Sequence, residues 1–401
     1  MRQIPRRVLV VLASFTAAAL VALACNSPVD GDGSTVPGRC TMDGLDSVQK
    51  TDILFVIDNS SSMLEEQQGI ASELPAFVNE LKQGAGTAHD FRVGVITPAV
   101  YQNRQLPDGG TELQYFPSQS GKLQAVPLAI LPDGGATPGT DRFIESSDPE
   151  LVDKMSRLVV GVRSITGSGQ ETPFEAVRLA LSEPVSTTPV AEGGNQGFFR
   201  DDARLLVVMV SDEDDCSETG RPPTVYVSTG GRDFCGEQSA QLTPVDTYFT
   251  FLQGLPKQVA WAAIAPVSTV DKRAESVVIN NQVQNADCPT SFQPGFRHHE
   301  MALKFDPSLT NLDSICKPSY RQSLLQIAQI ANLAQVLEVP NVPDPVLLRV
   351  DITRADGSTQ PCTMANGGIE YDVATEQVRF LGTCVRRADD TDVQVRLICA
   401  G

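Results

Sequence analysis

The stretch Asp52 to Met63, DILFVIDNSSSM, constrains this chain more than any other. Ile53 to Ile57 run without a polar residue, and an acidic, hydroxyl-rich turn follows at once. An unbroken β-branched and aromatic run of that length suits a strand buried on both faces, the situation of a central parallel strand covered by helices on either side. Leu205 to Val210, LLVVMV, repeats the layout and runs into Ser211, Asp212, Glu213, Asp214 and Asp215. Val259 to Ala265, VAWAAIA, is a third buried run. Together they predict a doubly wound α/β fold with a mostly parallel sheet and helices on both faces, Rossmann-like in plan. In such sheets ligands bind beyond the carboxyl ends of the strands, where the loops splay apart. Asp58, Ser60 and Ser62 fall at one such end. One carboxylate and two hydroxyls at alternate positions form an all-oxygen set suited to a hard divalent cation.

The remaining segments fit around this core. Met63, Ile70, Leu74, Phe77, Val78 and Leu81 fall at helical spacing, with Pro75 expected to kink or divide the helix. Phe91 to Ile96 is the next strand. Residues 98–148 carry LPDGG twice, at 106–110 and 131–135, which is turn chemistry, and the segment reads as a surface insertion. A helix is predicted over 149–162. Thr172-Pro173-Phe174-Glu175 reads as a capping box with proline at the first helical position, so a helix starts at Pro173 and leaves Glu171 in the loop before it. Short helices are predicted over Val245 to Leu255 and Tyr320 to Leu333. From about Val339 the pattern changes to alternation, in VLLRVDI, IEYDV, EQVRFLG and DVQVRLI, which predicts a small antiparallel β module.

Residues 1–24 have a basic start, an apolar stretch and Ala-Leu-Ala before Cys25, the layout of a secretory signal. Small residues ending at a cysteine resemble a bacterial lipobox, which makes Cys25 the expected lipidated first residue of a protein held in the cell envelope. Residues 25–48, rich in Gly, Pro, Ser and Asp, read as a solvated tether. The chain has nine cysteines; without Cys25 the remainder, Cys40, Cys216, Cys235, Cys288, Cys316, Cys362, Cys384 and Cys399, are even in number, which suits disulfides in an exported protein. Cys216 with Cys235 and Cys288 with Cys316 are the favoured local pairs, and one of Cys362, Cys384 and Cys399 is expected to reach Cys40. Formal charge is −18, and loss of the signal removes three arginines and no acid. Such a surface disfavours nucleic acid and anionic lipid and favours cations and basic partners.

The D-x-S-x-S turn resembles the metal-ion-dependent adhesion site of von Willebrand factor type A domains. That site draws on three loops, and the chain offers a residue for each. The first supplies Asp58, Ser60 and Ser62, and the third supplies Asp212. Most of the family uses threonine in the second, whereas ETPFEA, residues 171–176, resembles the integrin β-subunit form, which implies Glu171 as ligand. The resemblance implies a domain over 49–337 with insertions near 98–148, 213–242 and 266–318, followed by the β module at 338–401. It also implies a divalent cation, Mg²⁺ before Mn²⁺ or Ca²⁺, with one coordination position left for a carboxylate on a protein or other macromolecular partner. Glu65 and Glu66 sit where integrin β subunits carry a second acidic pair, but acids in a first helical turn favour the helix dipole in any case. Glu213, Asp214 and Asp215 read either as support for the metal ligands from behind or as a solvated acidic loop. The chain has three histidines, of which His298 and His299 are adjacent and read as a surface pair, and it carries no H-E-x-x-H, G-x-S-x-G, Walker or dinucleotide motif. It therefore reads as a binding protein rather than an enzyme: a lipid-anchored adhesion protein or, alternatively, an envelope assembly component whose ion only stiffens the domain.

Overall fold

The computed structural model describes residues 42–43, 47–83, 88–227, 234–279, 282–286, 288, 291, 293–333, 335–387 and 390–398. The signal segment, Cys25, most of the tether, Cys40 and Cys399 lie outside the described residues.

The central sheet is built from β1 (Val48–Ile57), β2 (Ala88–Ile96), β3 (Phe143–Glu145), β4 (Arg204–Val210), β5 (Val259–Ala265) and β6 (Leu312–Ser314). Its order is β3-β2-β1-β4-β5-β6, with β3 antiparallel and the others parallel. This is the doubly wound order, in which the winding reverses between β1 and β4. The apolar runs alternate between two cores. Ile53, Phe55, Ile57, Leu206, Val208 and Val210 face α1 (Leu64–Gln83), α2 (Leu151–Gly161) and α6 (Arg321–Asn332). Leu54, Val56, Leu205, Val207 and Met209 face α3 (Pro173–Ala180), α4 (Val245–Gln253) and α5 (Phe296–Phe305). Both faces are dry, which is why these strands show no polar alternation.

Two details depart from the sequence reading. Helix α1 runs unbroken through Pro75. The 98–148 segment is not confined to the surface: it supplies β3 and buries Tyr101, Leu123, Val126 and Ile144. Leu123 and Phe198 press on Gly94 so closely that a Cβ there would lie 2.6 Å from Leu123, which explains the glycine inside FRVGVI. The LPDGG repeats are turns, as expected, with the Asp108 and Asp133 carboxylates accepting from the amides of Gly110 and Gly135.

The tail's strands divide between two sheets. β7 (Val336–Glu338), β10 (Ile369–Asp372) and β11 (Gln377–Phe380) continue the central sheet, while β8 (Leu348–Thr353), β9 (Thr359–Thr363) and β12 (Asp392–Leu397) form a second one with Met42–Asp43. The junction has a simple cause. Pairing of β1 with β4 starts at Thr51 opposite Arg204, so the first residues of β1 keep an open edge that β7 takes through Glu338 opposite Val48. The tail packs its own apolar core, from Leu337 to Leu397. Disulfides join Cys216 to Cys235, Cys288 to Cys316 and Cys362 to Cys384. The last pairing leaves only Cys399 of the tail cysteines for Cys40.

Candidate metal centre

The carboxyl ends of β1 and β4 lie side by side at the winding reversal, and the Asp58 amide donates to the Val210 carbonyl at 2.9 Å. Asp58 is fully buried. Its Oδ1 accepts from the Ser60 amide at 2.8 Å and its Oδ2 from the Ser211 hydroxyl at 2.7 Å, while Gln67 Nε2 caps its carbonyl. The short turn that follows brings the Ser60 and Ser62 hydroxyls to 2.8 Å from each other, Ser60 half-buried and Ser62 exposed. Asn59 anchors the turn to the 165–170 loop by donating to the Ile165 carbonyl at 2.7 Å. That contact requires glycine at 167, where a Cβ would meet the Asn59 amide at 2.6 Å.

The second and third loops close over this turn. Thr172 Oγ1 donates to the Pro98 carbonyl at 2.7 Å, and the Glu171 carbonyl accepts from the Cys216 amide at 2.8 Å. The capping box does not form: the Thr172 hydroxyl is spent on Pro98, and the Glu175 carboxylate pairs with Arg178 and Arg221. The helix still starts at Pro173.

Glu171 and Asp212 are 1% and 2% exposed, yet both carboxylate oxygens of Glu171 and Oδ1 of Asp212 have no hydrogen-bond partner. Half-buried Glu66, in the first turn of α1, also has an unpartnered oxygen. Burial, then the Asp58, Glu213 and Asp212 charges, push the Glu171 carboxyl well above the ordinary range. Burial and the Asp58 charge push Asp212 up to about 7. Asp58 is raised by burial, against the hydrogen bonds it accepts from Ser60 and Ser211. Glu66 is raised by burial and by the charges of Glu65 and Asp58. Native structures rarely leave buried carboxylates unpartnered, because the desolvation cost goes uncompensated. The donor set therefore fits a hard cation. Among the described residues no three His, Cys, Asp or Glu side chains converge tightly enough to hold an ion between them. Direct bonds would accordingly fall to the hydroxyl pair and part of the carboxylate set, the rest acting through water.

Ser60 and Ser62 thus stand together on the Asp58 turn, and Glu171 and Asp212 both lie near enough to feel the Asp58 charge. Sequence reasoning missed Ser211, Gln67 and Asn59, which orient the turn, and placed Glu66 only as a helix-dipole acid. Asp214 and Asp215 are not a solvated loop: Asp215 is fully buried and accepts from the Phe174 amide, the Ser217 hydroxyl and Arg297 Nε, and Asp214 accepts from the Arg297 amide. His298 is no surface residue either; it is buried edge-on against Phe174, and burial lowers its pKa to about 4.

No protein-family model matches the chain, and no curated protein matches it. Similar solved structures include a von Willebrand factor type A protein from Catenulispora acidiphila, at 10% identity over 90% of this chain and 63% of that one, TM-score 0.31. Others are proximal thread matrix protein 1 from the mussel byssus, at 12% over 72% and 48%, TM-score 0.31, and the pilus adhesin SpaC from Lactobacillus rhamnosus GG, at 10% over 87% and 38%, TM-score 0.33. The chain spans less than two thirds of each of those structures, and TM-scores this low carry no argument. The class defined by strand order and rim is a doubly wound α/β domain with an acidic, hydroxyl-bearing crevice at its winding reversal.

Proposed function

We propose that this rim binds a divalent cation, Mg²⁺ by preference, through Asp58, Ser60, Ser62, Glu171 and Asp212, and that the ion takes a carboxylate from a protein or other macromolecular partner. The protein is then an adhesion or assembly component of the cell envelope, exported by residues 1–24 and held through Cys25. The observation that carries this reading is the set of buried, unpartnered oxygens on Glu171 and Asp212 beside the Ser60 and Ser62 hydroxyls. The ion would supply a point charge and one exchangeable position; the chain's residues hold and orient it. With three carboxylates ionised the centre keeps one net negative charge, so attraction for an acidic ligand is modest and depends on geometry. Calorimetric titration with Mg²⁺, Mn²⁺ and Ca²⁺ tests the site: Asp58→Ala should weaken binding at least about tenfold, and unchanged heat would place the ion elsewhere.

A second reading follows from the same three loops being tied together by side chains and amides: an ion that only stiffens the rim. Capture of partners from envelope extract with and without EDTA separates the two. Partners lost in EDTA support metal-mediated binding, and partners retained support stiffening.

A further inference from the structure

The 98–148 insertion reaches the candidate centre through one buried side chain. Phe116 to Gly121 form a turn held between the segment that follows β2 and helix α3. The Phe116 amide donates to the Val100 carbonyl at 3.0 Å and the Ser120 amide to the Ala99 carbonyl at 3.1 Å. Gly121, at φ +77°, lies so close to α3 that a Cβ there would stand 2.5 Å from the Ala180 nitrogen, so glycine is required. This anchored turn presents Gln119, which is buried, to the loops of the rim. Its Oε1 accepts from the Thr97 hydroxyl at 2.7 Å and from Asn59 Nδ2 at 3.3 Å, and its Nε2 donates to the Thr166 carbonyl at 2.8 Å. Asn59 follows Asp58 in the first loop, and Thr166 belongs to the second loop, which ends at Glu171.

Two side-chain amides therefore cross-link the first loop to the second. Asn59 does so directly, through the Ile165 carbonyl, and Gln119 does so from a segment that carries none of the expected ligands. Something has to hold these loops together. Burial and then the Asp58 charge raise both Glu171 and Asp212, so ionised carboxylates on neighbouring loops repel one another until a cation compensates them. Hydrogen bonds behind the ligands of a metal site fix their orientation, and losing one typically lowers metal affinity about 10- to 100-fold. We propose that Gln119 is a positioning residue of the rim: with Asn59 it holds the Asp58 turn and the Glu171 loop at closing distance before a cation arrives. The inference rests on the cation reading given above, and it makes the insertion part of what builds the centre.

Gln119→Met keeps the length of the side chain and removes its three hydrogen bonds. Hydrogen exchange of the metal-free protein, read by mass spectrometry, should be faster than in the wild type over residues 59–64 and 164–172 and unchanged in β4 and β5. Calorimetric titration should show Mg²⁺ bound about tenfold more weakly, and saturating Mg²⁺ should slow the exchange of both loops again. Should Gln119→Met fail to fold by circular dichroism, Thr97→Val takes its place: it keeps Gln119 and removes the hydroxyl that orients it, with Mg²⁺ binding about threefold weaker. Exchange unchanged in the two loops, exchange raised equally in β4 and β5, or an affinity equal to that of the wild type in the folded variant overturns the inference. A wild type that gives no heat with Mg²⁺, Mn²⁺ or Ca²⁺ overturns the cation reading and this inference with it, which failure of the variant alone does not.

Discussion

Asp212 and Asp215 stand three residues apart on one loop, both buried, in opposite circumstances. Asp215 is matched on every side: Arg297 at 2.8 Å, the Phe174 amide at 3.0 Å, and the Ser217 hydroxyl and amide. Around it Glu175 holds Arg178 and Arg221, and Glu218 accepts four hydrogen bonds from Thr224 and Val225. Asp58 has the Ser60 amide and the Ser211 hydroxyl in place of a cation, and both oxygens of Glu171 and Oδ1 of Asp212 have no hydrogen-bond partner. One acidic cluster is complete within the chain and locks the α3 and α5 ends to the third loop. The other, on the proposed reading, is completed by a cation.

The contrast breaks most severely at Arg297. Replacing it with Met strips the counter-charge from buried Asp215 and should cost about 3–5 kcal/mol of stability, with or without Mg²⁺. Denaturant unfolding in both conditions checks this, and a loss that appears only without Mg²⁺ would merge the two clusters into one. Glu171→Gln should act with the opposite sign on the metal-free protein. Removing an unpartnered buried charge should stabilise it by about 1–3 kcal/mol while weakening Mg²⁺ at least about tenfold, as melting and titration of the same variant would show.

Acidity separates the clusters next. Asp212 and Glu171 have folded pKa values above their unfolded ones, so they bind protons on folding. Their contribution is fully present below the ordinary carboxylate range and is lost as pH rises through about 7 for Asp212. A cation replaces those protons, so the stabilisation by Mg²⁺ should grow from about pH 5 to about pH 8. Melting curves with and without Mg²⁺ across that range check the sign; a Mg²⁺ effect that shrinks as pH rises would remove the carboxylates from the site. The smallest effect belongs to Glu66→Gln. This half-buried acid flanks the site, and its loss should alter Mg²⁺ affinity by less than about threefold, in line with a partly screened charge. A larger change would promote Glu66 to a ligand.

Much of the fold was legible because its signals are local. Ile53–Ile57 and Leu205–Val210 declare two-sided burial by lacking polar residues, and the helix at Pro173 declares itself through proline even though its capping box never forms. The disulfides Cys216–Cys235 and Cys288–Cys316 were legible because each pair stands alone in its segment, whereas the tail holds three cysteines. Tail pairing was not: Cys362 meets Cys384 because β9 of the second sheet and the turn after β11 of the central sheet come together, a meeting between sheets that no short-range signal reports.

The sequence by itself determined which residues carry oxygen at the strand ends and in what order, because composition and periodicity are properties of neighbours along the chain. Only the tertiary structure decided which acids would be satisfied. Asp212 and Asp215 read alike in the run SDEDD, and the difference arises because Arg297, more than eighty residues later, reaches one and not the other. Charge compensation acts through space, so it is invisible until the chain has folded.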